Sequence, residues 1–126
     1  MLNILVIEDD TNIREQLVEL LTLEGYVAIG AGDGAAGLEA ALGSQPDVIL
    51  SDIAMPKVDG YEVLRQVRAH TVTATIPFIF LSARAAKEDT EKGLWLGANA
   101  YLTKPFQIQD LLQLIHLYTT GTKPAV

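Results

Sequence analysis

Three carboxylates, a hydroxyl and an amine stand at the ends of short apolar runs in this chain. Glu8 and Asp9 follow residues 2–7, Asp52 follows 47–51, Ser82 ends 78–82, and Lys104 follows 100–103. Carboxylates gathered in a partly desolvated cleft repel one another, so at least one pKa should rise unless a cation binds. Their oxygens suit Mg²⁺, which takes few protein ligands and keeps water or phosphate oxygens in its shell. A metal beside Asp52 would offset the charge of an incoming phosphoryl group and let the carboxylate attack it. Ser82 and Lys104 would then bind the remaining phosphoryl oxygens, one by hydrogen bond and one by charge.

These residues can meet only if the runs before them are parallel strands of one sheet. Val48, Ile49 and Leu50 read as a strand buried on both faces, and Pro56 and Gly60 force the chain to turn after Asp52. The first strand, 2–7, is followed by a helix that Asp10, Thr11 or Asn12 caps and Gly25 closes. On that helix Ile13, Leu17, Leu20 and Leu21 share one face, and Val18 lies off it. Further strands are expected at 26–31, 78–82 and 100–103. Helices are expected at about 35–42, 60–70, 87–96 and 107–118, the one at 60–70 carrying Tyr61, Val63, Leu64 and Val67 on its apolar face. Five strand–helix pairs predict an α/β fold with a doubly wound parallel sheet, helices on both faces and right-handed crossovers. The carboxyl edge of such a sheet is where ligands bind.

Composition removes several other readings. At 126 residues and 49% hydrophobic, the chain fits one domain with a packed core. A net charge of −7 argues against a nucleic-acid surface, and the absence of cysteine excludes disulfides and thiolate zinc sites. The apolar run 4–7 is cut off by three acids, too short for a signal-peptide core, and no run reaches membrane-helix length. A soluble, cytoplasmic protein is expected. His70 and His116 read as surface residues and Asp10 as a cap.

Four motifs carry a resemblance: Ile-Leu-Val-Ile-Glu-Asp-Asp at 4–10, Asp-Ile-Ala-Met-Pro at 52–56, Leu-Ser-Ala at 81–83, and Tyr-Leu-Thr-Lys-Pro-Phe at 101–106. Their order resembles the receiver domain of two-component response regulators, over about residues 2–118. The resemblance implies a flavodoxin-like fold with strand order 2-1-3-4-5. It implies a domain at 1–120 and a tail or linker stub at 121–126. It makes Asp52 the phospho-acceptor, fed by a histidine kinase or phosphotransfer protein. Asp9, Glu8, Asp52 and the backbone carbonyl of Ala54 would hold Mg²⁺ or Mn²⁺. Ser82, Lys104 and Tyr101 take the switch positions, and a cis peptide precedes Pro105. Helix one, at Val18, and the loop at Phe106 would meet the donor.

The chain also departs from its relatives. Ala54 and Arg84, flanking the phosphoryl path, would tune how long the group survives. An aspartyl phosphohydrolase needs a second acid two residues after its nucleophile, and Ala54 stands there, so a switch is expected rather than a turnover enzyme. A fold-only interaction module would not need the complete acid–hydroxyl–lysine set. Asn99-Ala100 replaces the acid pair of the charged dimer surface common in winged-helix relatives. Trp95 with Leu114 or Leu117 would instead form an apolar partner or dimer surface. The output cannot be read from these residues.

Overall fold

The computed structural model describes residues 2–84 and 86–120; the expected tail at 121–126 lies outside them. Five parallel strands, β1 (Asn3–Ile7), β2 (Val27–Ala31), β3 (Val48–Ser51), β4 (Phe78–Ser82) and β5 (Ala100–Thr103), lie in the order β2-β1-β3-β4-β5. They alternate with five helices, α1 (Thr11–Leu23), α2 (Gly34–Ser44), α3 (Gly60–Ala69), α4 (Lys87–Trp95) and α5 (Ile108–Thr120). This is the doubly wound α/β architecture that the alternation implied.

Side chains on the central strands alternate between two cores. Leu5, Ile7, Ile49, Phe78 and Phe80 point to one face, packing with Tyr61, Val63, Leu64 and Val67 of α3. Ile4, Val6, Val48, Leu50, Ile79 and Leu81 point to the other, packing with Leu17 and Leu21 of α1 and Leu111 and Ile115 of α5. The apolar face read for α3 is buried at all four positions.

Two helix faces sit slightly rotated from expectation. On α1 the axis of burial runs between Leu17 and Leu21, leaving Val18 and Leu20 each about 80° to one side. Val18 turns into the core, whereas Leu20 and Ile13 are 45% and 42% exposed. Val18 is therefore not the exposed apolar residue of that helix. On α5 the buried stripe is Leu111 and Ile115, with Ile108 and Leu112 on its flanks. Leu114, read as part of an apolar partner surface with Trp95, instead packs against this core, and Leu117 is half-buried.

The helix starts follow capping rules. Asp10, Asp33 and Asp59 each accept a hydrogen bond from the backbone N–H three residues on, at 3.0, 2.7 and 2.9 Å. Asn99, where relatives carry an acid, does structural work instead. Its side-chain oxygen accepts from the Phe78 amide and from Arg68, whose guanidinium also reaches the carbonyls of Ala74, Ile76 and Gly97. This clasp ties the start of β4 to the α4–β5 turn.

The turn after β3 depends on one glycine. Gly60 donates to the Ile53 carbonyl at 2.8 Å, and a Cβ at position 60 would stand 2.1 Å from the Asp52 carbonyl oxygen. Backbone cannot yield as a flexible side chain does. Gly60→Ala should cost at least about 2 kcal/mol in chemical denaturation. Gly43→Ala, with nothing within 4 Å of its Cβ, should instead gain about 0.5 kcal/mol.

Candidate active site

The carboxyl ends of β1, β3, β4 and β5 bring the predicted residues to one edge. Three of them are held by a further rung of the backbone ladder: Glu8 N–H donates to Ala31, Asp52 to Ile7, and Lys104 to Ser82, at 3.0, 3.1 and 2.8 Å. Their Cα positions are thus set by strand pairing and not by loop conformation. Lys104 is followed by a cis peptide to Pro105.

Glu8, Asp9 and Asp52 each offer a carboxylate oxygen within 4.8 Å of the others. Lys104 Nζ lies between two of them, 2.7 Å from Glu8 Oε1 and 3.3 Å from Asp52 Oδ2. Asp52 Oδ1 accepts from the Ile53 amide at 2.6 Å, and Glu8 Oε2 accepts from the Asp10 amide at 3.3 Å. Glu8 is 4% exposed, Asp52 is half-buried, and Asp9 is exposed.

The electrostatics leave this set short of positive charge. Burial pushes the Glu8 carboxyl above its ordinary range, and nearby Asp52 adds to that, despite the bond and charge of Lys104. Burial also works against the Lys104 charge, but the bond to Glu8 and the nearness of Asp52 outweigh it and raise its pKa. One amine faces three acids. Hard carboxylate oxygens in surplus negative charge are what a small divalent cation takes. Three carboxylate oxygens lying this near one another supply the few protein ligands that Mg²⁺ takes beside its waters.

Ser82, fully buried, accepts a hydrogen bond on Oγ from the Arg84 amide at 3.1 Å. Tyr101 is half-buried, tilted against Phe80 with ring centroids 5.9 Å apart, and its hydroxyl donates to the Arg84 carbonyl at 2.7 Å. Burial raises the phenol pKa. The Arg84 guanidinium is 3.9 Å from Asp89 in the first turn of α4. Ala54 is exposed beside Asp52. Ser82, Arg84 and Tyr101 therefore form one hydrogen-bonded unit at the end of β4.

The family model for the response regulator receiver domain matches residues 4–116. This chain belongs to that family. Among curated relatives, the transcriptional regulatory protein RprY of Bacteroides fragilis is 44% identical over 110 residues, covering 87% of this chain and 46% of the relative. The response regulator MprA of Mycobacterium leprae is 37% identical over 123 residues, covering 98% of this chain and 53% of the relative. The chain thus spans about half the length of these relatives. Among solved structures, the Francisella response regulator 1452 receiver domain superposes with a TM-score of 0.89 at 32% identity, covering 98% of this chain and all of that one. The receiver domain of a Pseudomonas aeruginosa sensor histidine kinase, with a magnesium ion coordinated in its active-site cleft, has a TM-score of 0.85 at 32% identity, covering 96% and 98%.

Beside the acids, the receiver has an apolar groove of about 430 Å³ that periodicity had assigned to core. Ile13, Gln16 and Leu20 of α1 form one wall, Pro105, Phe106 and Ile108 another, and the groove reaches Glu8, Asp52 and Lys104. The half-exposure of Ile13 and Leu20 is its signal, one that appears only in the folded structure. Trp95, at the end of α4, is 88% exposed and does not pack beneath the loop before β5.

The raised Glu8 pKa has a direction that can be measured. A carboxyl whose folded pKa exceeds its ordinary 4.5 binds more protons folded than unfolded above that pH. Its stabilising contribution is whole below about 4.5 and is lost as pH rises through the folded value. In EDTA, the stability difference between wild type and Glu8→Gln should move in the variant's favour as pH climbs from about 4.5. Denaturation midpoints across pH 4 to 8 measure it, and a flat difference would contradict the assignment.

Proposed function

We propose that this receiver takes a phosphoryl group onto Asp52 and holds it as a signal. One observation carries the reading: Glu8, Asp9 and Asp52 converge within 4.8 Å, with the Lys104 amine against two of them. An Asp52 oxygen attacks phosphorus, and the bond to the donor nitrogen breaks, its electron pair leaving with an imidazole of a histidine kinase or phosphotransfer protein. Glu8, Asp9, Asp52 and the Ala54 carbonyl would hold Mg²⁺ or Mn²⁺. That cation would supply positive charge against the phosphoryl oxygens.

The protein's own groups do the rest. Lys104 leaves Glu8 for the new phosphoryl oxygens, which carry more charge than the carboxylate they replace. Ser82 Oγ turns from the Arg84 amide to donate to the phosphoryl. The bond from Tyr101 to the Arg84 carbonyl then loses its present geometry, and the surface of α4, β5 and α5 shifts population. Ala54 offers no acid to activate water, which favours a held phosphoryl over turnover. Arg84, released from Asp89, would shield the group. The donor docks on the groove through Ile13, Leu20 and Phe106, in place of Val18. The setting is the cytoplasm, the output partner or domain is read by the switched surface, and this segment with its −7 charge does not itself bind nucleic acid.

With acetyl phosphate and Mg²⁺, intact-mass spectrometry should show one phosphoryl group on wild type and none on Asp52→Asn, with EDTA abolishing uptake. Equal labelling of Asp52→Asn would sink the reading. Exposed Trp95 and Leu94 of α4, with half-buried Leu117 of α5, would form the apolar contact of a homodimer or output partner. Sedimentation of phosphorylated Trp95→Ala should then show weaker self-association than wild type. Unchanged association would leave Trp95 without that role.

A further inference from the structure

The loop that carries Glu8 and Asp9 has a second fastening, one the phosphoryl chemistry leaves unused. Arg14 Nη1 donates to the Glu8 carbonyl at 2.8 Å, while the Arg14 amide donates to the Asp10 carbonyl at 2.9 Å. The second is the ordinary first bond of α1 to its capping residue, so it is the side chain of Arg14 that holds the start of the acidic segment 8–10. Its side chain reaches that carbonyl by lying along the end of β2. A Cβ on Gly30 would stand 2.9 Å from Arg14 Cγ and Cδ, and one on Gly32 would stand 3.2 Å from Nη1. Neither glycine is among those with positive φ, so the backbone does not demand them. What they leave is a slot that a flexible arginine stem fills.

The carbonyl matters because of what is attached to it. The Glu8 peptide group joins the buried Glu8 to the exposed Asp9, so the plane that Arg14 fixes sets the aim of both side chains. Groups that orient ligands without touching the ion commonly change metal affinity by roughly tenfold or more. A guanidinium acting only as a charge would do the reverse, since removing a positive group beside a cation site tightens cation binding. Positioning and charge therefore predict opposite signs.

We propose that Arg14 is a positioning residue of the cation site: seated in the slot left by Gly30 and Gly32, it fixes the Glu8 carbonyl and so the aim of Glu8 and Asp9. This rests on the reading that Glu8, Asp9 and Asp52 hold a divalent cation.

Calorimetric titration with Mg²⁺ alone, without a phosphoryl donor, tests it on wild type, Arg14→Ala, Arg14→Lys and Gly30→Ala. Arg14→Ala should bind Mg²⁺ roughly tenfold more weakly, and Arg14→Lys, which keeps the charge but not the fork, should fall between. Gly30→Ala keeps the arginine and its charge but pushes the stem out of the slot, so it should weaken binding in the same direction. In EDTA, the amide of Asp10, which donates to Glu8 Oε2, should exchange hydrogen faster in both Arg14→Ala and Gly30→Ala. No binding by wild type would overturn the cation reading and this proposal together. Binding by wild type that is unchanged or tighter in Arg14→Ala would overturn the positioning role alone. So would a Gly30→Ala that binds and exchanges like wild type, because a charge or folding defect would then account for Arg14→Ala.

Discussion

The ammonium of Lys104, 2.7 Å from Glu8 and 3.3 Å from Asp52, is the contact on which the site depends. It joins the ends of β5, β1 and β3, and two acids that would otherwise repel across a partly buried cleft are held by it. The balance is incomplete, since a single amine meets Glu8, Asp9 and Asp52. That deficit gives the cleft its appetite for further positive charge, while burial of Glu8 prevents water from relieving it. A site with matched charges would have no such need.

Strand pairing makes the contact possible. The amides of Glu8, Asp52 and Lys104 are the last rungs of three ladders of one sheet, so side chains 44 to 96 residues apart in sequence arrive together once the register is set. A register slip of one residue would turn each to the wrong face. Glycines complete the fit where chain meets chain closely. Gly60 lets the loop after Asp52 fold back onto its carbonyl, and Gly37 leaves room for Ile7. At the end of β4, Ser82, Arg84 and Tyr101 are joined by hydrogen bonds, and Arg84 lies 3.9 Å from Asp89.

Much of this was legible in the sequence because its signals are local or strongly periodic. Apolar strands ended by polar residues gave the sheet edge, and of the caps offered for the first helix the structure uses Asp10, while Asp33 and Asp59 cap α2 and α3 by the same bond without having been read as caps. Helix faces were harder. α1 and α5 carry more apolar residues than the sheet can cover, so periodicity could not say whether Val18 or Leu20, Leu111 or Leu112, would be buried. Neighbours decide that, and the surplus on α1 became the wall of a groove. Asn99 and Arg14 were illegible for another reason. Each acts through backbone carbonyls or amides on a different element, a role that leaves no mark in residue type or spacing.

The most direct measurement is a structure of the protein with Mg²⁺ and beryllofluoride, which mimics an aspartyl phosphate. Beryllium is expected on an Asp52 oxygen, the cation among Glu8, Asp9 and Asp52, and Lys104 Nζ moved from Glu8 to a fluoride. Beryllofluoride on another carboxylate, or a Lys104 still bound to Glu8 beside an occupied Asp52, would contradict this expectation.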